Sequence, residues 1–173
     1  MRGLLNLLET KRCLLNTVHE LDYENIKELY LNEEVRKYLG GPRKEETIRG
    51  VFNDMLSPEE NCWYWIVREK KTKTFMGVVS LDPNDVNQEI EVSYQFLPMY
   101  WRVGYATEVA QEVIRYAFHE LQLSKVIAVT QTANTPSRKL LERLRMKLIQ
   151  TYYRFRAEQA VYSIEARDEI LID

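Results

Sequence analysis

The sequence predicts an α+β fold, a mixed sheet with helices on both faces. Three patterns carry that reading. Val92, Tyr94 and Phe96 alternate with Glu91, Ser93 and Gln95, which is the period of a strand. After Ala106 the apolar residues fall at Val109, Ala110, Val113, Ile114, Ala117, Phe118 and Leu121, the spacing of one buried helix face. An apolar run at Lys125–Val129 then reads as a buried strand, followed by a helix with Leu140, Leu141 and Leu144 on its inward side.

The remaining elements follow in chain order. Arg12–Thr17 reads as a first strand. Leu21, Asp22 and Ile26 form a hydrophobic staple around an N-cap, so a helix is expected over Tyr23–Leu31. Gly40-Gly41-Pro42 is a strong break. The next helix carries Ile48, Val51, Phe52, Met55 and Leu56 on one face, and Ser57-Pro58 follows it. Trp63–Glu69 and Phe75–Asp82 read as paired strands joined by the polar loop Lys70–Thr74, and Asp82-Pro83-Asn84-Asp85 is a turn. Glu89–Phe96 is the next strand. Thr135 suits an N-cap with Pro136 at the first helical position. Ile149–Arg156 and Val161–Ala166 read as a terminal hairpin. No repeat, low-complexity tract or linker interrupts the chain, so residues 1–173 are expected to form one domain.

Composition narrows the function classes. The 24 basic and 26 acidic side chains nearly balance, which argues against a nucleic-acid binder. An RNA-binding accessory role is disfavoured further by the lack of an aromatic-basic strand motif. Cys13 and Cys62 fall on expected strands and read as small buried apolar residues. They make no disulfide framework and no Cys/His metal cluster, so no metal is expected. The apolar run behind Met1 and Arg2 is too short for a membrane span or a signal peptide, and a cytoplasmic protein with no membrane partner is expected.

The join at Glu91–Glu108 is the most informative stretch. A strand entering a helix through a small-residue turn leaves several backbone N–H groups aimed at one spot, and the helix dipole favours an anion there. Gly104 and Ala106 keep side chains out of the approach, so the turn fits a pyrophosphate cradle, with a plain helix-entry turn as its other reading.

The ordered motifs resemble the GNAT superfamily of acyl-CoA N-acyltransferases, most closely the branch containing ribosomal-protein alanine N-acetyltransferases. In that branch a strand reading acidic-Ile-Gly-Tyr precedes a proline, then Tyr-Trp-Gly-x-Gly-Tyr-Ala-Thr-Glu, and a later helix opens with Asn-x-x-Ser. Here those elements are Glu91-Val92-Ser93-Tyr94, Pro98, Tyr100-Trp101-Arg102-Val103-Gly104-Tyr105-Ala106-Thr107-Glu108, and Asn134 with Ser137. Glu9–Leu15, Asp22 and Asn32-Glu33-Glu34-Val35 also fit, so the resemblance spans essentially the whole chain.

The resemblance implies a mostly antiparallel sheet of roughly six to seven strands, with a splayed parallel pair that holds acyl-CoA. It implies an acetyl-CoA-dependent N-acetyltransferase whose acceptor amine attacks the thioester directly in a ternary complex. The backbone of Arg102, Val103, Gly104, Tyr105, Ala106 and Thr107 would bind the pyrophosphate, with a charge from the Arg102 side chain. The backbone at Phe96 and Leu97 would pair with the pantetheine amides and offer an oxyanion donor. Asn134 would bond a backbone or pantetheine group. Glu91 is the first choice of base, directly or through water, although Glu89 and Glu91 equally fit a solvated strand face. Glu158 is a second candidate. His119 reads as structural in a last helical turn, and His19 has no role. The family's usual acid, a tyrosine, falls at Leu141, so Ser137 is the substitute, with backbone bonding in the first helical turn as its other reading.

Three departures stand out. Trp101 replaces the Gln or Arg of many members, Ser93 replaces a glycine beside the thioester, and Arg145-Met146 replaces Gly-Phe after the helix that opens at Thr135. The acceptor pocket is expected between the first two helices, the Glu89–Phe96 strand and the hairpin. Trp63, Trp65, Tyr94, Tyr152, Tyr153 and Tyr162 would be its walls and Glu89, Glu91 and Glu158 its charge, which suits a cationic amine. A protein N-terminus, a polyamine, an amino acid and an aminoglycoside all satisfy that description. A monomer or a homodimer, the latter through the hairpin edge, is compatible with the sequence. An acyl-CoA-binding sensor or partner-binding module with little catalysis is the alternative.

Overall fold

The computed structural model describes residues 7–171. The apolar run behind Met1 falls largely outside them. Among the described residues no helix is long and apolar enough to cross a membrane.

Eight strands form one sheet in the order β1-β2-β3-β4-β5-β6-β8-β7. They are β1 (Leu8–Glu9), β2 (Cys13–Thr17), β3 (Trp63–Glu69), β4 (Phe75–Pro83), β5 (Ile90–Phe96), β6 (Lys125–Gln131), β7 (Lys147–Arg154) and β8 (Ala157–Glu165). The count exceeds the six to seven expected because β1 is two residues long, below the window in which alternation is detectable. Every neighbouring pair is antiparallel except β5 and β6. Those two run parallel and are in register at a single pair, Glu91 with Ile127.

Helices cover both faces. On one side α4 (Tyr105–His119) and α5 (Thr135–Arg143) bury Val109, Val113, Ile114, Ala117 and Leu141 against Trp65, Val92 and Phe96. On the other, α1 (Tyr23–Leu31) and α3 (Glu45–Leu56) bury Ile26, Leu29, Ile48 and Phe52 against Ile66 and Val78. The short α2 (Glu33–Arg36) lies between α1 and α3 in sequence and was not expected. Its four residues fall below the length at which a helical period shows, although Asn32 caps it by accepting from the Val35 N–H.

Several local expectations need correction. Asp22 is not a capping side chain for α1, and Leu21, 85 % exposed, staples nothing. Asp22 instead accepts from the His19 N–H at 2.8 Å and pairs with Arg68, while His19 Nδ1 accepts from the Leu21 N–H. His19 therefore has a structural role, as the cap of a 3-10 turn at Glu20–Asp22. Asn134, not Thr135, caps α5, its side chain accepting from the Ser137 N–H at 3.2 Å. Cys62 precedes β3 and is half-buried, whereas Cys13 is fully buried on β2. The hairpin turn is Phe155-Arg156, with φ of 54° and 61°. Those left-handed values usually select Asn or Gly, so the sequence carries no turn signal there.

The end of α5 shows what Arg145 does. The Met146 N–H donates to the Leu141 carbonyl and the Arg145 N–H to the Glu142 carbonyl, both at 3.0 Å, with Arg145 at φ 60°. This is a Schellman closure with arginine in the left-handed position that glycine normally takes. Such a conformation costs an L-residue about 1 kcal/mol. Arg145→Gly is therefore expected to raise the melting temperature by about 2–4 °C. A calorimetric scan showing no rise, or a fall, would contradict this.

Candidate active site

The site forms where β5 and β6 part. Beyond their single bridge, the Glu91 carboxylate lies near the Val129 backbone of β6, whose N–H favours its ionised form. Asn84 Nδ2 donates to Glu91 Oε2 at 2.6 Å. Burial pushes the Glu91 carboxyl up to about 7, against the Asn84 bond and with the help of negative charge at Asp82. Asp82 faces Glu91 across the β4–β5 ladder, and burial raises its carboxyl too, against a 3.0 Å bond from Ser80 Oγ. Glu91 can thus take up or release a proton near neutrality.

A second contact spans the gap. The Tyr94 hydroxyl of β5 lies 2.8 Å from Ser137 Oγ in the first turn of α5. Burial lifts the Tyr94 hydroxyl up to about 12, against the Ser137 bond, so the phenol stays protonated. Leu141 is 1 % exposed and belongs to the core. A tyrosine hydroxyl is therefore present, supplied by the strand rather than the helix. Alternation along β5 gave Tyr94 an inward face but could not say that it reaches α5. Just past β6, Thr132 Oγ1 is buried and has no hydrogen-bond partner among the described residues.

At Phe96 and Leu97 the backbone groups are divided. The Leu97 N–H donates to the Met76 carbonyl at 2.9 Å and the Phe96 carbonyl accepts from Trp101 Nε1 at 2.8 Å. By the alternation of a ladder, the Phe96 N–H faces the opposite edge, where pairing with β6 has ended.

The turn before α4 is held from outside. Gly104 sits at the N-cap with φ 85°, and an added Cβ would meet Arg12 Nη2 at 3.4 Å. No side chain caps this helix, so the N–H groups of Tyr105, Ala106 and Thr107 stay open in its first turn. Arg102 is exposed and also left-handed, at φ 68°, with Val103 exposed beside it. Arg12 was not singled out from sequence. Its Nε pairs with Glu108 at 2.7 Å, its Nη1 donates to the Val103 carbonyl at 3.0 Å, and its guanidinium stacks 4.0 Å over the Tyr105 ring. Burial would raise the Glu108 carboxyl, but bonds from Thr10 and Arg12 outweigh it and hold it below its ordinary value. An arginine whose charge is partly offset by Glu108 thus stands beside the open N–H groups.

On the opposite face of the sheet a cleft is lined by Tyr30, Met55, Tyr64, Ser80, Ser93 and Gln95. Its walls differ from those expected. Trp65 is fully buried against Tyr116, Tyr162 is 1 % exposed with its hydroxyl accepting from Arg138, and Trp63 packs on the α4 side. Tyr153 is 75 % exposed. The apolar run Trp63–Val67 shows no alternation, so the sequence could not tell which face its aromatics take. Of the expected walls, Tyr94 lines the cleft and Tyr152 is near enough to Glu91 for that charge to raise its phenol, after burial. Glu89 lies outside β5, held by Lys125 at 2.5 Å, and Glu158 is exposed on β8. His119 ends α4 and pairs with Glu169 at 2.9 Å. Among the described residues no group of His, Cys, Asp and Glu could hold a metal ion.

A model of the acetyltransferase (GNAT) domain matches residues 12–147. The chain belongs to the GNAT acetyltransferase family. It is 30 % identical over 140 residues to the uncharacterized N-acetyltransferase YoaA of Bacillus subtilis strain 168, covering 78 % of this chain and 79 % of that one. Among solved structures, a GNAT-family acetyltransferase from Bacillus anthracis superposes with TM-score 0.82 at 24 % identity, over 93 % of this chain and 99 % of that one. A ribosomal-protein-S5-alanine acetyltransferase from Vibrio fischeri gives 0.76 at 16 % identity, over 94 % and 97 %. A spermidine N-acetyltransferase from Vibrio cholerae, solved with CoA and spermine, gives 0.78 at 17 % identity, over 91 % and 98 %. This GNAT chain is an N-acetyltransferase, and the family uses acetyl-CoA as its acyl donor.

Proposed function

We propose that this GNAT enzyme moves an acetyl group from acetyl-CoA to a primary amine by direct attack in a ternary complex, with Glu91 as the base. The observation that carries the reading is the Glu91 carboxyl, poised at about 7 where the parallel strands part. Three features support the fit of the cofactor. The Gly104 turn leaves backbone N–H groups open beside the Arg12 cation. Thr132 Oγ1 is a buried polar atom with no partner among the described residues, and the Phe96 N–H faces a strand edge where pairing with β6 has ended. Acetyl-CoA, when bound, supplies the acetyl group as a thioester.

The residues divide the work. The backbone from Arg102 to Thr107, with Arg12, holds the diphosphate. Phe96, Leu97 and Thr132 line the path of the arm, and Asn134 fixes the start of α5. Glu91 accepts a proton from the incoming ammonium. After attack, the second amine proton reaches the departing sulfur through Ser137 Oγ, which accepts it as it passes on its own hydrogen, while the protonated Tyr94 hydroxyl holds Ser137 in place. Ser137→Ala is expected to lower kcat by about tenfold, a modest loss because a thiolate leaves readily, with acetyl-CoA affinity unchanged. Steady-state turnover equal to wild type would remove Ser137 from the mechanism.

The acceptor is a small amine or a protein N-terminus; the Vibrio neighbours are named for spermidine and for a ribosomal-protein alanine. The test is thiol release from acetyl-CoA with an amine panel, with the acetylated product identified by mass. Stoichiometric acetylamine and thiol support the proposal. Acetyl-CoA binding without amine-dependent thiol release would overturn it.

A further inference from the structure

The cleft has a cation behind it, and the acidic pair Asp82 and Glu91 lies farther along the same β4–β5 ladder. Arg36 is 7 % exposed and makes no salt bridge among the described residues. Its Nε donates to the Gly41 carbonyl at 3.1 Å and its Nη2 to the Leu39 carbonyl at 2.6 Å, which braces the Gly40-Gly41 turn. Its Nη1 does something that turn does not need. It donates to Gln95 Oε1 at 3.2 Å, and Gln95 lines the cleft.

This contact fixes the direction of a relay. A guanidinium only donates, so Gln95 must turn its oxygen to Arg36. The Gln95 amide nitrogen then faces the Tyr30 hydroxyl at 3.5 Å, and that hydroxyl must accept. The Tyr30 proton is thereby directed away from Gln95. Tyr30 is 5 % exposed, lines the cleft, and has no acceptor for its proton among the described residues. Two guanidinium groups lie near its ring, Arg36 at 5.3 Å and Arg43 at 5.6 Å. Along the same β4–β5 ladder the cross-strand pairs run Asp82 with Glu91, Ser80 with Ser93, then Val78 with Gln95. The order is an acidic pair, a hydroxyl pair, then the cation-backed donor.

We propose that the Tyr30 hydroxyl, polarised through Gln95 by Arg36, receives a carboxylate on the acceptor, so that the substrate is an amine that also carries an acid. The inference rests on the acetyltransferase reading above. The carboxylates at Asp82 and Glu91 take the ammonium end and the Tyr30 end takes the anion; Glu91 and Gln95 are four residues apart on β5, about 13 Å, so the amine and the acid sit at opposite ends of an extended acceptor. An amine with no oxygen acceptor leaves the buried Tyr30 proton unmatched, which a binding site penalises.

The test compares ω-amino acids of increasing chain length, their carboxamides, the matching decarboxylated amines, which lack the acid, and spermidine as acceptors with acetyl-CoA. The acids are expected to have the highest kcat/KM, with the decarboxylated amines lower by about tenfold or more. Tyr30→Phe, which keeps the ring, is expected to cost the acids about tenfold, mainly in KM, and to leave the decarboxylated amines and acetyl-CoA affinity within about twofold. Gln95→Leu should reproduce that pattern. A preference for amides, decarboxylated amines or spermidine overturns the inference, as does an equal effect of Tyr30→Phe on every acceptor. Acetyl-CoA binding with no turnover of any acid overturns it too. Failure of the folded protein to bind acetyl-CoA sinks the parent reading instead, so the two failures are told apart.

Discussion

Glu91→Gln is expected to lower kcat/KM at neutral pH by about 10²–10⁴-fold while leaving acetyl-CoA affinity within about twofold. The Gln side chain keeps the shape and can still meet Asn84, but it cannot take a proton. Wild-type activity should rise with pH through about 7, because the base works only when ionised. The variant should lose that limb. The same carboxyl makes a stability prediction of known sign. Its folded-state value, about 7, lies above the ordinary 4.5, so between these values the folded protein holds the proton more firmly than the unfolded chain. Stability contributed by the protonated form is present below 4.5 and is lost as pH rises through about 7. Glu91→Gln should therefore gain more in melting temperature over wild type at about pH 8 than at about pH 4. A pH-independent difference between the two proteins, together with unchanged turnover, would remove Glu91 from the base role.

Gly104→Glu is expected to raise the KM for acetyl-CoA by at least about 100-fold. Two effects act together. The new residue must hold φ 85°, which costs an L-residue about 1–2 kcal/mol, while its Cβ would only touch Arg12 Nη2 at 3.4 Å. Its carboxylate would also compete with phosphate for the open N–H groups and for Arg12. A carboxylate is electrostatically favourable at a helix N-terminus, so the fold should survive. An unchanged far-ultraviolet spectrum with a wild-type KM would show that the diphosphate binds elsewhere.

The parts of the site legible in the sequence are those fixed by local chemistry. Gly104 before a helical period, Asn134 three residues ahead of Ser137 and the alternation around Glu91 are all short-range signals; the first two fall at helix N-caps and the third within β5. What the sequence withheld is which long-range neighbour each residue meets. Arg12 reaches Glu108 across 96 positions and Tyr94 reaches Ser137 across 43. Arg36 reaches Gln95 across 59. No periodicity encodes these contacts. The aromatic walls failed for a related reason. Trp63-Tyr64-Trp65 is apolar on both sides of a central strand, so only its register, with Tyr64 opposite Ser80 and Trp65 opposite Val79, decides that Tyr64 enters the cleft and Trp65 the core. Arg145 is the converse case. A departure from the family's glycine was visible in the sequence, and the backbone kept the left-handed turn regardless.

Calorimetric titration of acetyl-CoA into the wild-type protein tests the central claim most directly, with Gly104→Glu alongside. The account expects binding with a Kd on the order of micromolar, lost in the variant. A folded wild-type protein that takes up no acetyl-CoA would contradict it, leaving a GNAT fold without a working cofactor site.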